Sequence, residues 1–214
     1  MKAINILIIS VMLLCAFQVS DAIADSYDEL LTAVNQDDIP TAEALFSKGM
    51  DVNTTDRGGN TLLMISIRDG HPDMAKLLLQ REAAVGARNQ YGETALMLAA
   101  VKGQVELVKL LVAHGAQINI KGWNPLIYAA WRGQTEVAKF LLDKGAKVDA
   151  VSASGISALM MAARGGHIAT VKLLLSAKAD PNLKSDSGVT ALQWALKGGN
   201  TDIADLLKQA GAKE

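Results

Sequence analysis

Apolar and polar positions along this chain follow a beat that repeats. In the stretch Gly92 to Asn119, Leu96, Ala99 and Ala100 fall on one helical face before Gly103 interrupts the run. Val105, Val108, Leu111 and Val112 then mark the apolar side of a second helix, and Gly115 closes it in the left-handed conformation glycine accepts. Two helices of two or three turns cannot bury both faces alone, and the chain supplies copies on each side. The interrupting glycines Gly70, Gly103, Gly133, Gly166 and Gly199 are spaced 33, 30, 33 and 33 residues apart. That period predicts a solenoid in which each unit touches only its neighbours.

Cap chemistry gives the same register. Thr61, Thr94, Asn124, Ser157 and Thr190 stand where each first helix should start, and all five carry a side-chain oxygen able to accept a first-turn amide. The motif Gly-x-Thr-(Pro/Ala)-Leu-x-x-Ala-Ala-x-x-Gly-His, followed by Leu-Leu-x-x-Gly-Ala-x-Val-Asn, resembles the ankyrin repeat. The resemblance implies an all-α solenoid of about six helix-turn-helix repeats joined by β-hairpin loops, near residues 26–55, 56–89, 90–119, 120–150, 151–183 and 184–214. Where the family usually has a histidine three residues after the cap, this chain has Met64, Met97, Ile127, Met160 and Gln193. The cap–histidine bond is therefore expected to be absent, with methionine filling the space. The Thr-Ala-Leu-Met form resembles that of bacterial ankyrin proteins.

Departures from the motif carry expectations of their own. The first repeat, with helices expected at Asp28–Asn35 and Pro40–Lys48, has Asp37 at the interrupting glycine and reads as an N-terminal cap. Glu82 and Lys178 replace closing glycines; positive φ at Glu82 is strained, so its exit is expected to be remodelled through Gly86. Repeat four is three residues short, all in its hairpin, and Pro125 opens its first helix. Lys208 takes the place of Leu79, Val112, Leu142 and Leu175, which marks the last helix as the outer C-terminal face.

The first 24 residues read differently. Lys2 precedes an apolar run from Ile6 to Phe17, and Ala22-Ile23-Ala24 forms a small-x-small cleavage site before Asp25. This pattern predicts a signal peptide over 1–24 and a mature domain over 25–214, periplasmic or extracellular. The run is too short for a spanning helix, which needs about 20 apolar residues, and no membrane insertion is expected after cleavage. Cleavage also removes Cys15, the only cysteine. A net charge of −1 gives no bias toward nucleic acid.

Catalytic and metal chemistry is not indicated. His71 and His167 share one repeat position three units apart, too far to cooperate, and are expected to order inter-helix turns, as is His114 before Gly115. No phosphate loop, His-Glu-x-x-His segment or serine elbow occurs. The sequence implies no catalytic residue, no metal and no cofactor. Asn53-Thr54-Thr55 fits a glycosylation sequon, but Asn53 is also the ordinary exit asparagine of its repeat.

Candidate partner-binding residues lie at hairpin tips and first-helix ends. Tyr91, Trp123, Trp131 and Arg132 gather the aromatic and arginine types enriched at hot spots, beside the shortened hairpin. The alternative is that Trp123 packs over the short turn and Trp131 against the next first helix. Arg68, Lys102, Arg132, Arg164 and Lys197 recur near first-helix C-termini and are expected to form a basic row, serving either the helix dipoles or an anionic partner. The resemblance implies a non-enzymatic, monomeric protein-binding module, and the leader places it in the cell envelope as an expectation. Its rivals are a small-ligand or haem-binding accessory protein and an effector passed onward to a host.

Overall fold

The computed structural model describes residues 25–213; the expected leader, 1–24, lies outside the described residues. Twelve helices follow one another among the described residues. They are α1 (25–35), α2 (Ile39–Ser47), α3 (Leu62–Asp69), α4 (Pro72–Gln80), α5 (Ala95–Lys102), α6 (Val105–Ala113), α7 (Pro125–Trp131), α8 (Thr135–Asp143), α9 (Ala158–Arg164), α10 (Ile168–Ser176), α11 (Ala191–Lys197) and α12 (Thr201–Gln209). From α3 onward, each odd-numbered helix packs against the even-numbered one after it. From α3 to α11 the first helices also stack in chain order, as the second helices do from α2 to α12. The core runs the length of this stack, with Leu78, Leu111, Leu141, Leu174 and Leu207 wholly buried at equivalent positions.

Local chemistry fixes each unit. Thr61, Thr94, Asn124, Ser157 and Thr190 accept from the amides three residues on, at 3.0–3.4 Å. Sequence reading is corrected at one detail of these caps. Met97 is more than filler, because its sulfur accepts from Thr94 N at 3.4 Å, and Gln193 Oε1 accepts from Thr190 N at 3.0 Å. Both side chains close a reciprocal cap in place of the absent histidine.

The exit of repeat two is not remodelled through Gly86. Glu82 takes φ +62°, Lys178 +68° and Asp37 +59°, so all three non-glycine residues keep the backbone that glycine adopts elsewhere. The amide following each still reaches back into the preceding helix, as Ala83 N to Leu78 O and Ala179 N to Leu174 O, both 3.0 Å. Helix closure outweighs the local strain.

Two ladders of side-chain bonds cross the junctions between repeats. The residue after each interrupting position reaches a carbonyl near the end of the preceding first helix. His71 Nε2 meets Asn35 O at 3.0 Å, Gln104 Nε2 meets Ile67 O at 3.1 Å, Gln134 Nε2 meets Val101 O at 3.3 Å. His167 Nε2 meets Trp131 O at 3.0 Å and Asn200 Nδ2 meets Ala163 O at 3.0 Å. The histidines therefore tie repeats together rather than only ordering their own turns. His114, by contrast, bonds within its helix, to Leu110 O at 2.8 Å.

The second ladder uses the exit residues. Asn53, Asn119, Asp149 and Asn182 accept from Ala84 N, Lys147 N, Asp180 N and Lys213 N at 2.8–2.9 Å. The fifth such position is Gly86, which has no side chain to offer, and a recess of about 180 Å³ opens between it and Gln117.

Candidate protein-binding site

The hairpins project as fingers. Those at 56–60, 89–93, 152–156 and 185–189 are five-residue turns closed by a bond from the first amide to the fifth carbonyl, 2.9–3.1 Å. Among the described residues the only β-type pairings are the isolated bridges Thr55–Thr61 and Val151–Ser157. The side chain at the first finger position accepts turn amides, as Asn89 Oδ1 does from Tyr91 N and Glu93 N, both 3.0 Å. Fingers also bond to neighbours: Gln90 N donates to Gly58 O and Asp186 N to Ser154 O, each at 3.1 Å. The row is thereby divided into two joined pairs.

The shortened finger of repeat four lies between them. Ile120 is buried at its base, and Gly122 turns the chain at φ +91°. Trp123 precedes the α7 cap, the position that Asn60, Glu93, Ile156 and Val189 hold in their fingers. Beside it, Tyr128 and Trp131 are three residues apart on α7, one helical face. Ring centroids are 5.4 Å apart for Trp123–Tyr128, 6.3 Å for Trp123–Trp131 and 6.4 Å for Tyr128–Trp131, with planes inclined by 62–71°. Trp123 and Trp131 thus contact each other as well as Tyr128. The two form one cluster yet stay 36% and 43% exposed, and Tyr91, at the tip of the adjacent finger, is 76% exposed. Tyr91, Glu93, Met97 and the three clustered rings line a recess of about 440 Å³.

A polar relay backs the cluster. Tyr128 OH donates to Glu93 Oε1 at 2.9 Å, and Asn89 Nδ2 donates at 2.9 Å both to Glu93 Oε2 and to Asn60 Oδ1. Burial, and then the Glu93 carboxylate, pushes the Tyr128 phenol well above its usual range, so it stays protonated and donating. Sequence reasoning missed Tyr128, because its place four residues after the cap is apolar in Ile65, Leu98 and Met161. The available signal was two aromatics at i and i+3 behind a third just before the cap.

The basic residues do not form a single row. Arg68, Arg164 and Lys197 stand seven residues after their caps, whereas Lys102 and Arg132 stand eight after theirs, about 100° further round the helix. Several already have partners. Arg68 pairs with Asp69 through Nε–Oδ1 at 2.8 Å and Nη2–Oδ2 at 3.0 Å, and lies 3.9 Å from Asp56. The guanidinium holds the Asp69 carboxyl below its usual range. Arg164 and Lys197 lie over the Trp194 ring, 4.5 and 5.8 Å from its centroid. Trp194 was also missed, sitting one turn deeper than the helix ends. Arg132 is exposed and makes no ion pair among the described residues.

Neither a cluster of metal-ligating side chains nor a helix long and apolar enough to cross a membrane occurs among the described residues. What the arrangement offers is a rigid, segmented surface with one aromatic gap. Comparison with known proteins agrees with that architecture. The profile of the family described as ankyrin repeats (3 copies) matches residues 10–89, 30–121, 82–152 and 147–214. The crystal structure of an ankyrin repeat domain from Acinetobacter baumannii AYE is 32% identical, superposes with a TM-score of 0.76, and covers 86% of this chain and 98% of its own. No curated protein matches. The chain belongs to the ankyrin-repeat family, whose members are generally protein-interaction modules without enzymatic activity.

Proposed function

We propose that this protein is a non-enzymatic scaffold, exported by its leader to the cell envelope, that docks a protein partner at the gap between its finger pairs. The observation that supports the docking site is the Trp123–Tyr128–Trp131 cluster, aromatic surface kept exposed at the one break in the finger row. Rigid aromatic side chains supply contact area at low entropic cost, and tryptophan, tyrosine and arginine dominate binding hot spots. Export rests on the sequence of residues 1–24.

The test is affinity capture from the host's envelope fraction with wild-type bait and a Trp123→Ala/Trp131→Ala bait of matched melting temperature. The reading expects one stoichiometric protein that the double variant loses and a Lys109→Ala bait retains. Equal capture by all three baits would move the docking site elsewhere. A chromophore or glycan in place of a protein would favour the accessory-protein reading. Mass spectrometry of the host protein should find Asp25 at its N-terminus; abundant peptides containing Met1 or Lys2 would refute export.

A further inference from the structure

Three aromatic rings outside the gap, though not Tyr27, carry a cation of this chain, which the four aromatics of the gap do not. Phe46 carries Arg81 at 5.2 Å from its centroid, Phe140 carries Lys144 at 5.8 Å, and Trp194 carries both Arg164 and Lys197. Tyr27 is tied through its hydroxyl to Thr55 O. Among the described residues, no cation of this chain lies over Tyr91, Trp123, Tyr128 or Trp131. Their faces are not used up by one another either: edge-to-face contacts, as the inclinations of 62–71° define, engage the face of only one ring of each pair.

The recess also holds a negative charge without a counterion. Glu93 is half-buried in its wall. Both its oxygens accept hydrogen bonds, from Tyr128 and Asn89, which are neutral donors. No lysine or arginine pairs with it among the described residues. Arg88, at the finger's base, instead donates to Gly92 O at 3.2 Å. Aromatic faces are negative at their centres, so rings and carboxylate together favour one kind of occupant.

We infer that the recess is a site for an organic cation: the ammonium or guanidinium of a basic side chain on the partner protein, seated among Tyr91, Trp123, Tyr128 and Trp131 with Glu93 as counter-charge. This rests on the gap being the docking surface. A recess of about 440 Å³ lies within the range, roughly 300–1,000 Å³, of sites that hold small organic groups. The hydrogen bonds to Glu93 orient it before binding, which reduces the cost of ordering it.

The chain's three tryptophans permit a direct test. Protein expressed from its full reading frame with 5-fluorotryptophan gives one ¹⁹F resonance per tryptophan, assigned with single Trp→Phe variants. Acetyl-arginine-amide, acetyl-lysine-amide and acetyl-trimethyllysine-amide are titrated at constant ionic strength, with acetyl-norleucine-amide as the neutral control. Saturable shifts are expected at Trp123 and Trp131 with at least one cationic probe. Trp194, already covered, stays unmoved. Glu93→Gln should weaken binding by about fivefold, the ratio that corresponds to about 1 kcal/mol. Trp131→Leu should abolish the response at Trp123 in a protein whose circular dichroism is unchanged.

Absence of saturation with every cationic probe, an equal response to the neutral probe, or unchanged affinity in Glu93→Gln overturns the inference. The two readings fail separately. Loss of partner capture in the double-tryptophan bait without cation binding removes only the cation site. Cation binding with partner capture intact in that bait keeps the site but removes it from the docking surface.

Discussion

Repeats four and six place aromatic rings at the same point and treat them oppositely. Tyr128 and Trp194 each stand four residues after a cap, on α7 and α11. Around Trp194, Lys197 on the same helix and Arg164 on the preceding first helix supply cations at 5.8 and 4.5 Å. The corresponding positions around Tyr128 are Trp131 and Val101. The C-terminal finger pair is joined by Asp186 N to Ser154 O, and the exit bond from Asp180 N to Asp149 is made. Between the two joined pairs the shortened finger leaves the row open, and Gly86 leaves its exit position without a side chain. One half of the array satisfies its surface internally, while the gap does not. A solenoid permits this, because each repeat relies only on its neighbours and a local departure does not spread.

Both regions rest on an equally buried leucine core, and the largest expected effect tests that. Leu111 is wholly buried, as are Leu174 and Leu207. Leu111→Ala should cost about 2–5 kcal/mol in urea titration. Lys109→Ala, on the exposed side where Lys109 pairs with Glu106, should cost under about 1 kcal/mol. Equal losses would mean that the assigned helix faces are wrong.

The next effect converts one region into the other. Trp131→Arg gives α7 the order of α11, an aromatic followed three residues later by a cation. The new guanidinium can cover Tyr128 and compete with an incoming one. Partner binding should fall at least tenfold, about 1.4 kcal/mol, with the melting temperature nearly unchanged. Binding that survives this change would show that the open ring faces are not what the partner uses.

Sequence made the scaffold legible because its signals are local. Caps, interrupting glycines and apolar faces each act within one repeat, and helices are found where they predict them, although the first helix begins three residues before Asp28 and the second runs Ile39–Ser47 rather than Pro40–Lys48. Even the exceptions at Glu82 and Lys178 kept their glycine-like backbone, since the closing bonds demand it. The five cations from Arg68 to Lys197 were harder. Reading five cations as one row ignored a one-residue offset, worth about 100° on a helix. Tyr128 and Trp194 were overlooked because their importance comes from neighbours one repeat away, at Glu93 and Arg164. The cross-repeat roles of His71, Gln104, Gln134, His167 and Asn200 were hidden similarly, because three residue types perform one task.

The exit ladder offers a smaller test on the open side. Gly86 has a negative φ, and a Cβ there would meet nothing within 4 Å. Asn119, at the equivalent position, accepts from Lys147 N at 2.9 Å and donates to Gly145 O at 2.9 Å. Gly86→Asn should make the same two bonds to Gln117 N and Gly115 O. The expected gain is about 0.5–1.5 kcal/mol, measured by thermal or urea unfolding, part of it from a less flexible unfolded chain. A neutral or destabilising result would mean that this junction is spaced differently from the others.

The smallest effect runs the conversion backward. Arg164→Ala with Lys197→Ala strips Trp194 of both cations and makes it resemble the open rings of the gap. Both cations are exposed, so the loss of stability should be modest, about 0.5–1 kcal/mol. The informative readout is the fluorotryptophan resonance. Trp194, unmoved by cationic probes in the wild type, should begin to respond once its face is free. Its affinity should nonetheless stay below that of the gap, because Trp194 is a single ring and no carboxylate bonded like Glu93 accompanies it. If uncovered Trp194 bound the probes as tightly as Trp123 and Trp131 do, exposure alone would explain cation binding. The arrangement of Glu93 and four rings would then have no special part in it.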